Sequence, residues 1–361
     1  MTNETVDNTE GRAAAASGAI EATRFRAFRL HKGETAPGGR GETAPEGRVV
    51  EMTVADLSPG DVVIRVAYSS INYKDALAAS GQNAIVKHYP RIGGIDLSGT
   101  VAASSDARFA PGDEVVVHGF GIGVDHDGGH AGYARVAGDW VMPLPAGLSL
   151  FEAGVLGAAG YTAALSLHLM ELNGLEPGRG PVLVTGATGG VASLAIDMLA
   201  TRGYSVTALT GKKDSADSLL ALGADRVLFH GDVEMGTRPL EKGQWAGAVD
   251  SLGGATLGWL TRTMQNDGVI TAFGNASGPE LATTVLPFIL RGVRLIGVNA
   301  NSAMALRNVV WGKIAGAYRP RRLDAIASVI TLEDLPECYA RMLDAKTRGR
   351  MVIRMMAPGA P

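Results

Sequence analysis

The stretch Val182–Ser193, VLVTGATGGVAS, restricts the fold of this chain more than any other feature. An apolar run typical of a buried strand is followed by a glycine-rich turn and then by helical apolar spacing. Gly186, Gly189 and Ala192 have the spacing G-x-x-G-x-x-A, in which the last small residue packs a helix against a sheet. Strand and helix patterns alternate up to about residue 301. This alternation predicts a parallel sheet flanked by helices.

The same turn predicts a phosphate-binding site, because the N–H groups that open a helix attract anions. Sites for NAD commonly carry Asp or Glu at the end of the next strand. Here the strand SVTALTG ends in Thr210, Gly211, Lys212 and Lys213. Two ammonium groups and a hydroxyl suit a 2′-phosphate, so we predict NADPH as the cofactor. A tight turn without a ligand, and a solvated lysine pair, are the alternatives.

The chain of 361 residues is long for one hydrophobic core. Short β-rich runs fill the region up to about residue 147, and mixed patterns return after residue 301. We therefore predict an α/β block inserted into a β-rich one. Residues 1–22 are predicted to be a disordered tail. The duplicated GETAPGGR and GETAPEGR within residues 33–48 predict a lengthened hairpin tip.

Charge and composition argue against several classes of partner. The net charge of −3 predicts no nucleic-acid binding. The chain has no run of about 18 uninterrupted apolar residues and begins without a basic, apolar leader, so we expect no membrane partner and a cytoplasmic protein. Its single cysteine, Cys338, permits neither an internal disulfide nor a multi-cysteine zinc site.

Several motifs in order resemble the medium-chain dehydrogenase/reductase superfamily: INYKDALAASG, IGGIDLSG, PGDEVVVHGFGIG, VTGATGGVAS and LPFILRGVRLIGV. More narrowly, the chain is similar to the zinc-free quinone oxidoreductase branch, in the subfamily with acryloyl-CoA reductases. The resemblance covers about residues 24–355. It implies a GroES-like, β-rich catalytic domain (23–147 and 302–361) with an inserted Rossmann nucleotide-binding domain (148–301). It also implies a homodimer formed through the edge strand Arg294–Ala300 and no zinc.

Without a metal, reduction of an activated C=C bond or a quinone needs hydrogen-bond donors at the oxygen that gains negative charge. The segment INYKD offers Asn72, Tyr73 and Lys74, and Asp96 of IGGIDLSG is implied beside them. Asn72 as a helix cap, Tyr73 as a buried aromatic and a Lys74–Asp75 pair are the structural alternatives. Three functions stay open: an NADPH-dependent enoyl-thioester reductase such as an acryloyl-CoA reductase, a quinone or small-enone reductase, and a nucleotide-binding protein without turnover.

The remaining site residues follow from the turn, from sheet edges and from the resemblance. The cofactor residues are predicted to be Tyr161, Thr185, Gly186, Thr188, Gly189, Gly190, Val191, Thr210, Gly211, Lys212, Lys213, Phe273, Gly274, Asn275 and Asn299. The resemblance places the loop with His126 and Asp127 near the substrate. The guanidinium groups of Arg319, Arg322 and Arg350 are candidates for the phosphates of a CoA thioester, with solvated helix ends as the alternative.

Overall fold

The computed structural model describes residues 19–33 and 45–355. The predicted disordered tail therefore lies almost wholly outside the described residues, as does most of the duplicated segment. The two strands that this segment connects do form an antiparallel hairpin, with Arg24 opposite Thr53 and His31 opposite Glu46.

The described residues form strands and helices along their whole length. The strands are β1 (Arg24–His31), β2 (Glu46–Thr53), β3 (Val62–Ser70), β4 (Arg91–Ile92), β5 (Asp96–Ser104), β6 (Glu114–His118), β7 (Tyr133–Val136), β8 (Met142–Pro143), β9 (Val182–Thr185), β10 (Val206–Thr210), β11 (Arg226–Phe229), β12 (Trp245–Asp250), β13 (Met264–Ala272), β14 (Arg294–Gly297), β15 (Ala327–Ile330) and β16 (Arg350–Arg354). The α-helices are α1 (Tyr73–Ser80), α2 (Leu150–Leu172), α3 (Gly190–Thr201), α4 (Ala216–Ala221), α5 (Gly254–Thr263), α6 (Leu286–Arg291), α7 (Met304–Ala315), α8 (Leu323–Ile326) and α9 (Leu335–Leu343).

The β-rich part of the molecule uses both ends of the chain. One sheet has the order β2-β1-β4, and a larger sheet has the order β15-β16-β3-β5-β6-β8 with β7 also paired to β3. Strand β16 pairs antiparallel with β3, so Val352 lies opposite Ser70. The end of the chain is thereby held beside the residues that precede α1.

A third, six-stranded sheet has the order β11-β10-β9-β12-β13-β14, and every neighbouring pair of strands is parallel. This is the strand order of a Rossmann fold, in which ligands bind at the carboxyl ends of the strands. Strands β9 and β12 are wholly buried, as their nearly continuous apolar sequences predict. The mixed α/β architecture expected from the sequence is confirmed.

Helix α2 joins the two sheet systems, because it packs against β3 and β5 on one side and α3 on the other. It begins with a capping box, in which Ser149 N donates to Glu152 Oε2 at 2.8 Å and Glu152 N donates to Ser149 Oγ at 3.2 Å. Among the described residues it is the one helix long and apolar enough to cross a membrane, yet 83% of its apolar window is buried inside the protein. Gly157 interrupts the helix with φ 44° and ψ −145°.

Candidate active site

The glycine turn after β9 has the form that its sequence predicts. Gly186 has φ +57°, and a Cβ there would collide with Ser251 Oγ. Gly189 is exposed, and α3 begins at Gly190 with Val191 in its first turn. The N–H groups of such a first turn have no acceptor within the helix and suit a phosphate.

Thr185 and Asp250 form a buried support beneath this turn. Thr185 Oγ1 donates to Asp250 Oδ1 at 2.7 Å and accepts from Ser251 N at 3.0 Å. Asp250 also accepts from Gly253 N at 2.9 Å, and burial raises the pKa of its carboxyl group. Thr185 is thus placed as a support for the loop after β12. Asp250 is not among the site residues predicted from the sequence, although a carboxylate at the end of the apolar run GAVD could have indicated it.

An open crevice lies at the carboxyl edge of β13 and β14. Its lining residues are Ala272, Phe273, Gly274, Asn275, Gly297, Val298 and Asn299. Four of them, Phe273, Gly274, Asn275 and Asn299, are predicted cofactor residues. Phe273 N donates to Asp250 O at 3.1 Å, which connects the crevice to the support beneath the glycine turn. The crevice therefore lies at the edge where a parallel sheet of this order binds dinucleotides.

The end of β10 holds the predicted 2′-phosphate residues. Thr210 is buried and its Oγ1 accepts from Lys212 N at 3.1 Å, whereas Gly211 is exposed. Lys212 Nζ donates to Thr347 O at 2.5 Å. Burial, and then the charge of Arg348, lower the pKa of Lys212. Lys213 is mainly exposed and lies 3.6 Å from Asp232.

The predicted catalytic segment begins α1, and its first residue is held by a buried carboxylate. Asp96 is 1% exposed and accepts from Asn72 Nδ2 at 2.8 Å, from Ser70 N at 3.0 Å and from Ala158 N at 2.9 Å. The break at Gly157 is what turns the N–H of Ala158 toward Asp96. The Asp96 carboxylate therefore ties the start of α1 to helix α2.

The two side chains that follow Asn72 are exposed, and the third is buried. Tyr73 is 48% exposed and Lys74 is exposed, so the buried-aromatic alternative for Tyr73 does not match the structure. Asp75 is buried and accepts from Asn72 N at 2.8 Å and from Ile95 N at 3.0 Å instead of pairing with Lys74. Burial, and then the charge of Asp96, raise the pKa of Asp75 to about 7.

The prediction that Arg350 binds a phosphate of a CoA thioester is wrong. Its side chain is 3% exposed and donates to Val155 O and Ile71 O at 2.9 Å each and to Asn72 Oδ1 at 3.3 Å. Its Nη2 lies 3.7 Å from Asp96 Oδ2. Since a buried guanidinium with these partners cannot reach a phosphate in solvent, Arg350 is a positioning residue for Asn72.

The loop residues expected near the substrate are also held internally. Asp127 is buried and accepts from Ser58 Oγ at 2.8 Å, Ile92 N at 3.1 Å and Arg91 Nη1 at 3.2 Å. His126 Nε2 bonds to Arg135 O at 2.8 Å. Both side chains bond to groups of the protein and stabilise the packing of their loop, which corrects the expectation that they bind the substrate.

The two other candidate arginines have intramolecular acceptors. Arg319 donates to Gly147 O and to Glu152 Oε1, each at 2.6 Å. Arg322 Nη1 lies 3.2 Å from the buried Asp197 Oδ1. These pairs argue against phosphate recognition, and they also differ from the alternative of solvated helix ends, because both guanidinium groups bond within the protein.

Tyr161 is fully buried in α2, so its ring cannot stack on a cofactor in this arrangement. Its hydroxyl bonds to Ser302 Oγ, and its ring lies 4.6 Å from that of His118. Arg307 completes the cluster by donating to His118 O at 2.5 Å and to Ala300 O at 3.1 Å. The cluster connects the end of β6 to the segment after β14.

The described ranges contain no group of three His, Cys, Asp or Glu side chains arranged to bind a metal ion. Cys338, the one cysteine of the chain, is buried and unpaired.

Comparison with known proteins agrees with this arrangement. Residues 58–146 match the alcohol dehydrogenase GroES-like domain. The Bacillus subtilis protein YhfP, named as a quinone oxidoreductase, is 46% identical over 85% of this chain and 94% of its own. The acrylyl-CoA reductase AcuI of Ruegeria pomeroyi is 42% identical over 86% of this chain and 94% of its own.

Solved structures give the same result. The yhdH oxidoreductase of Salmonella enterica, in complex with NADP, is 39% identical with a TM-score of 0.86 over 92% of this chain and 100% of its own. The structure of B. subtilis yhfP with NAD bound is 44% identical with a TM-score of 0.87 over 92% and 100% of the two chains. The chain therefore belongs to the medium-chain dehydrogenase/reductase superfamily, in the group that contains the YhfP quinone oxidoreductase and the AcuI acrylyl-CoA reductases.

Proposed function

We propose that the protein uses NADPH to reduce the conjugated C=C bond of an α,β-unsaturated acyl thioester such as acryloyl-CoA. One observation carries the proposal: two neighbouring residues join the phosphate-binding turn to the donor segment. Gly349 N donates to Thr188 O at 2.9 Å, and Arg350 Nη1 donates to Ile71 O at 2.9 Å. The segment Gly349–Arg350 thus holds the proposed phosphate-binding turn close to the proposed donor segment, as hydride transfer between a bound cofactor and a substrate requires.

The residues present fit NADPH. The first turn of α3 offers N–H groups for the pyrophosphate. Gly211 leaves open space at the end of β10, where a Cβ would meet no atom within 4 Å, and Lys212 supplies a cation for a 2′-phosphate. The crevice at Phe273–Asn275 and Asn299 continues the same sheet edge. When bound, NADPH supplies a hydride to the electrophilic carbon of the substrate.

The protein's own groups must stabilise charge on the thioester oxygen. The amide of Asn72 is already engaged by Asp96 and Arg350, so Asn72 holds the start of α1 in place. Tyr73 follows directly and its side chain is 48% exposed, which supports its hydroxyl as the proposed donor to this oxygen. One well-aimed donor in such a site contributes about a hundredfold to kcat.

Quinone or small-enone reduction is a second candidate. It is favoured by the internal pairing of Arg319, Arg322 and Arg350, which removes the arginines expected to bind CoA phosphates. The resemblance to YhfP supports the same candidate.

The deciding experiment measures NADPH consumption with acryloyl-CoA, methyl vinyl ketone and 1,4-benzoquinone, for wild type, Tyr73→Phe and the matched control Tyr133→Phe in β7. We expect the highest kcat/KM for the thioester, and Tyr73→Phe should lower kcat about a hundredfold without changing the affinity for NADPH. A higher kcat/KM for the quinone selects the second candidate. Binding of NADPH without turnover of any acceptor would refute both.

We also propose a cytoplasmic homodimer without a membrane or nucleic-acid partner. Support for the dimer comes from β14, which is an edge strand of the parallel sheet. In a monomer the outer backbone N–H and C=O groups of this strand would have no partner strand. The helix that precedes β14 in the chain, α6, exposes Ile289 and Leu290, at 68% and 62%. Leu290→Asp should give monomers in analytical ultracentrifugation; a dimer that persists would contradict this interface.

A further inference from the structure

The segment Thr347–Arg350, which leads into β16, crosses the turns after β9 and β10. Lys212 Nζ donates to Thr347 O at 2.5 Å, and Gly349 N donates to Thr188 O at 2.9 Å. Between these two contacts, Arg348 Nη2 lies 2.5 Å from Asp214 Oδ2. A side chain from the catalytic part of the chain is therefore held at the adenosine end of the nucleotide site.

The ion pair of Arg348 is exposed and exchangeable. The side chains of Arg348 and Asp214 are 47% and 75% exposed, and exposed ion pairs contribute little to the stability of a protein. The pair also adjoins Lys212, because Lys212 Nζ donates to the carbonyl of Thr347, the residue before Arg348, and Asp214 is two residues after Lys212 in the chain. Two cations and one carboxylate thus share the end of β10.

A phosphate is a better partner than this carboxylate for the two cations. It carries more charge and three acceptor oxygens, and a guanidinium can bind it through two parallel hydrogen bonds. The end of β10 is also where a Rossmann sheet distinguishes a 2′-hydroxyl from a 2′-phosphate. Lys213 contributes less here, since it is directed to Asp232.

We propose that Arg348 is a specificity-determining ligand of the 2′-phosphate of NADPH, and that Asp214 is the anion from which it is released when the cofactor binds. The inference rests on the proposed use of NADPH and adds to Lys212 a second cation, contributed by the catalytic domain. Because Arg350 is two residues further on and contacts Asn72, the same short segment links the 2′-phosphate to the donor segment.

The test is equilibrium binding of NADPH, NADH and 2′,5′-ADP, measured by calorimetry and cofactor fluorescence. Arg348→Gln should raise the Kd of NADPH and of 2′,5′-ADP about tenfold and leave that of NADH unchanged. Lys346→Gln is the matched control, since Lys346 lies two residues away in an exposed pair with Asp344. In this variant the Kd of each of the three ligands should stay unchanged. Asp214→Asn should lower the Kd of NADPH, because the competing carboxylate is removed.

Equal losses for NADPH and NADH in Arg348→Gln, or no loss, would overturn the proposal while wild-type turnover with NADPH still upholds the function. Weaker NADPH binding by Asp214→Asn would overturn the role of Asp214 as the exchanged anion. If the wild type does not bind NADPH more tightly than NADH, the proposed cofactor preference fails and the inference fails with it.

Discussion

Replacement of Gly157 by alanine should destabilise the protein and disturb the site together. Gly157 lies within α2 at φ 44° and ψ −145°, a region that residues with a Cβ avoid. An alanine Cβ would also collide with the carboxylate of Asp96 and lie 3.1 Å from Ser70 Oγ. Relief of that collision must displace Asp96 from the groups that it accepts from, including Asn72.

The magnitude follows from these two effects. Backbone strain of this kind costs about 1–3 kcal/mol, and loss of one hydrogen bond to the buried carboxylate adds about 1.5–3 kcal/mol. We therefore expect a loss of at least about 2.5 kcal/mol in the free energy of unfolding. With an unfolding entropy near 2.1 cal/mol/K per residue, this corresponds to a fall in Tm of at least about 3 °C for a chain of this length.

The control is Gly312→Ala in α7. Gly312 is exposed and no atom lies within 4 Å of where its Cβ would be. Alanine is favoured over glycine in a helix by about 1 kcal/mol, so the Tm should rise by about 1 °C. Differential scanning calorimetry and kcat should be measured on both variants. Equal shifts of Tm in the same direction, or a Gly157→Ala enzyme with unchanged kcat, would refute the role given to the break in α2.

Three further substitutions test buried charges. The pKa of Asp75, about 7, exceeds its ordinary value of 3.8. Its stabilising contribution is therefore fully present below about pH 4 and is lost as the pH rises to about 7, so the Tm should fall between about pH 4 and about pH 7 and level off above that, and Asp75→Asn should flatten the fall. Arg91→Ala leaves the buried Asp127 without its cation and should cost about 3 kcal/mol in chemical denaturation, whereas the control Arg108→Ala, in an exposed pair, should leave the denaturation midpoint nearly unchanged. Arg307→Lys loses donors to three backbone carbonyls and should lower the Tm by about 3 °C, corresponding to about 2 kcal/mol. An Asp75→Asn profile as steep as that of the wild type, an unchanged denaturation midpoint for Arg91→Ala, or an unchanged Tm for Arg307→Lys would contradict the role given to that residue.

Features encoded within a few neighbouring residues were predictable. The turn at Gly186 depends on a left-handed backbone conformation and on small residues at fixed spacing, and both are visible in VLVTGATGGVAS. The capping box from Ser149 to Glu152 spans three residues and formed as its sequence indicates. The lysines at the end of β10 could be placed because strand order determines which loop meets the adenosine ribose.

The partners of charged side chains were not predictable in this way. Arg350 was expected at a phosphate, yet it lies buried against Asn72, 278 residues away in sequence. Asp127 is likewise paired with Arg91 and Ser58 from other elements.

The amino-acid sequence by itself determined the order of strands and helices, the glycine turn and the class of cofactor, because propensity, apolar periodicity and glycine spacing act over short distances. Only the tertiary structure decided that Arg350 serves Asn72 and that Arg348 reaches Asp214. A guanidinium binds phosphate and carboxylate alike, so its role depends on which acceptor the fold brings within hydrogen-bond distance.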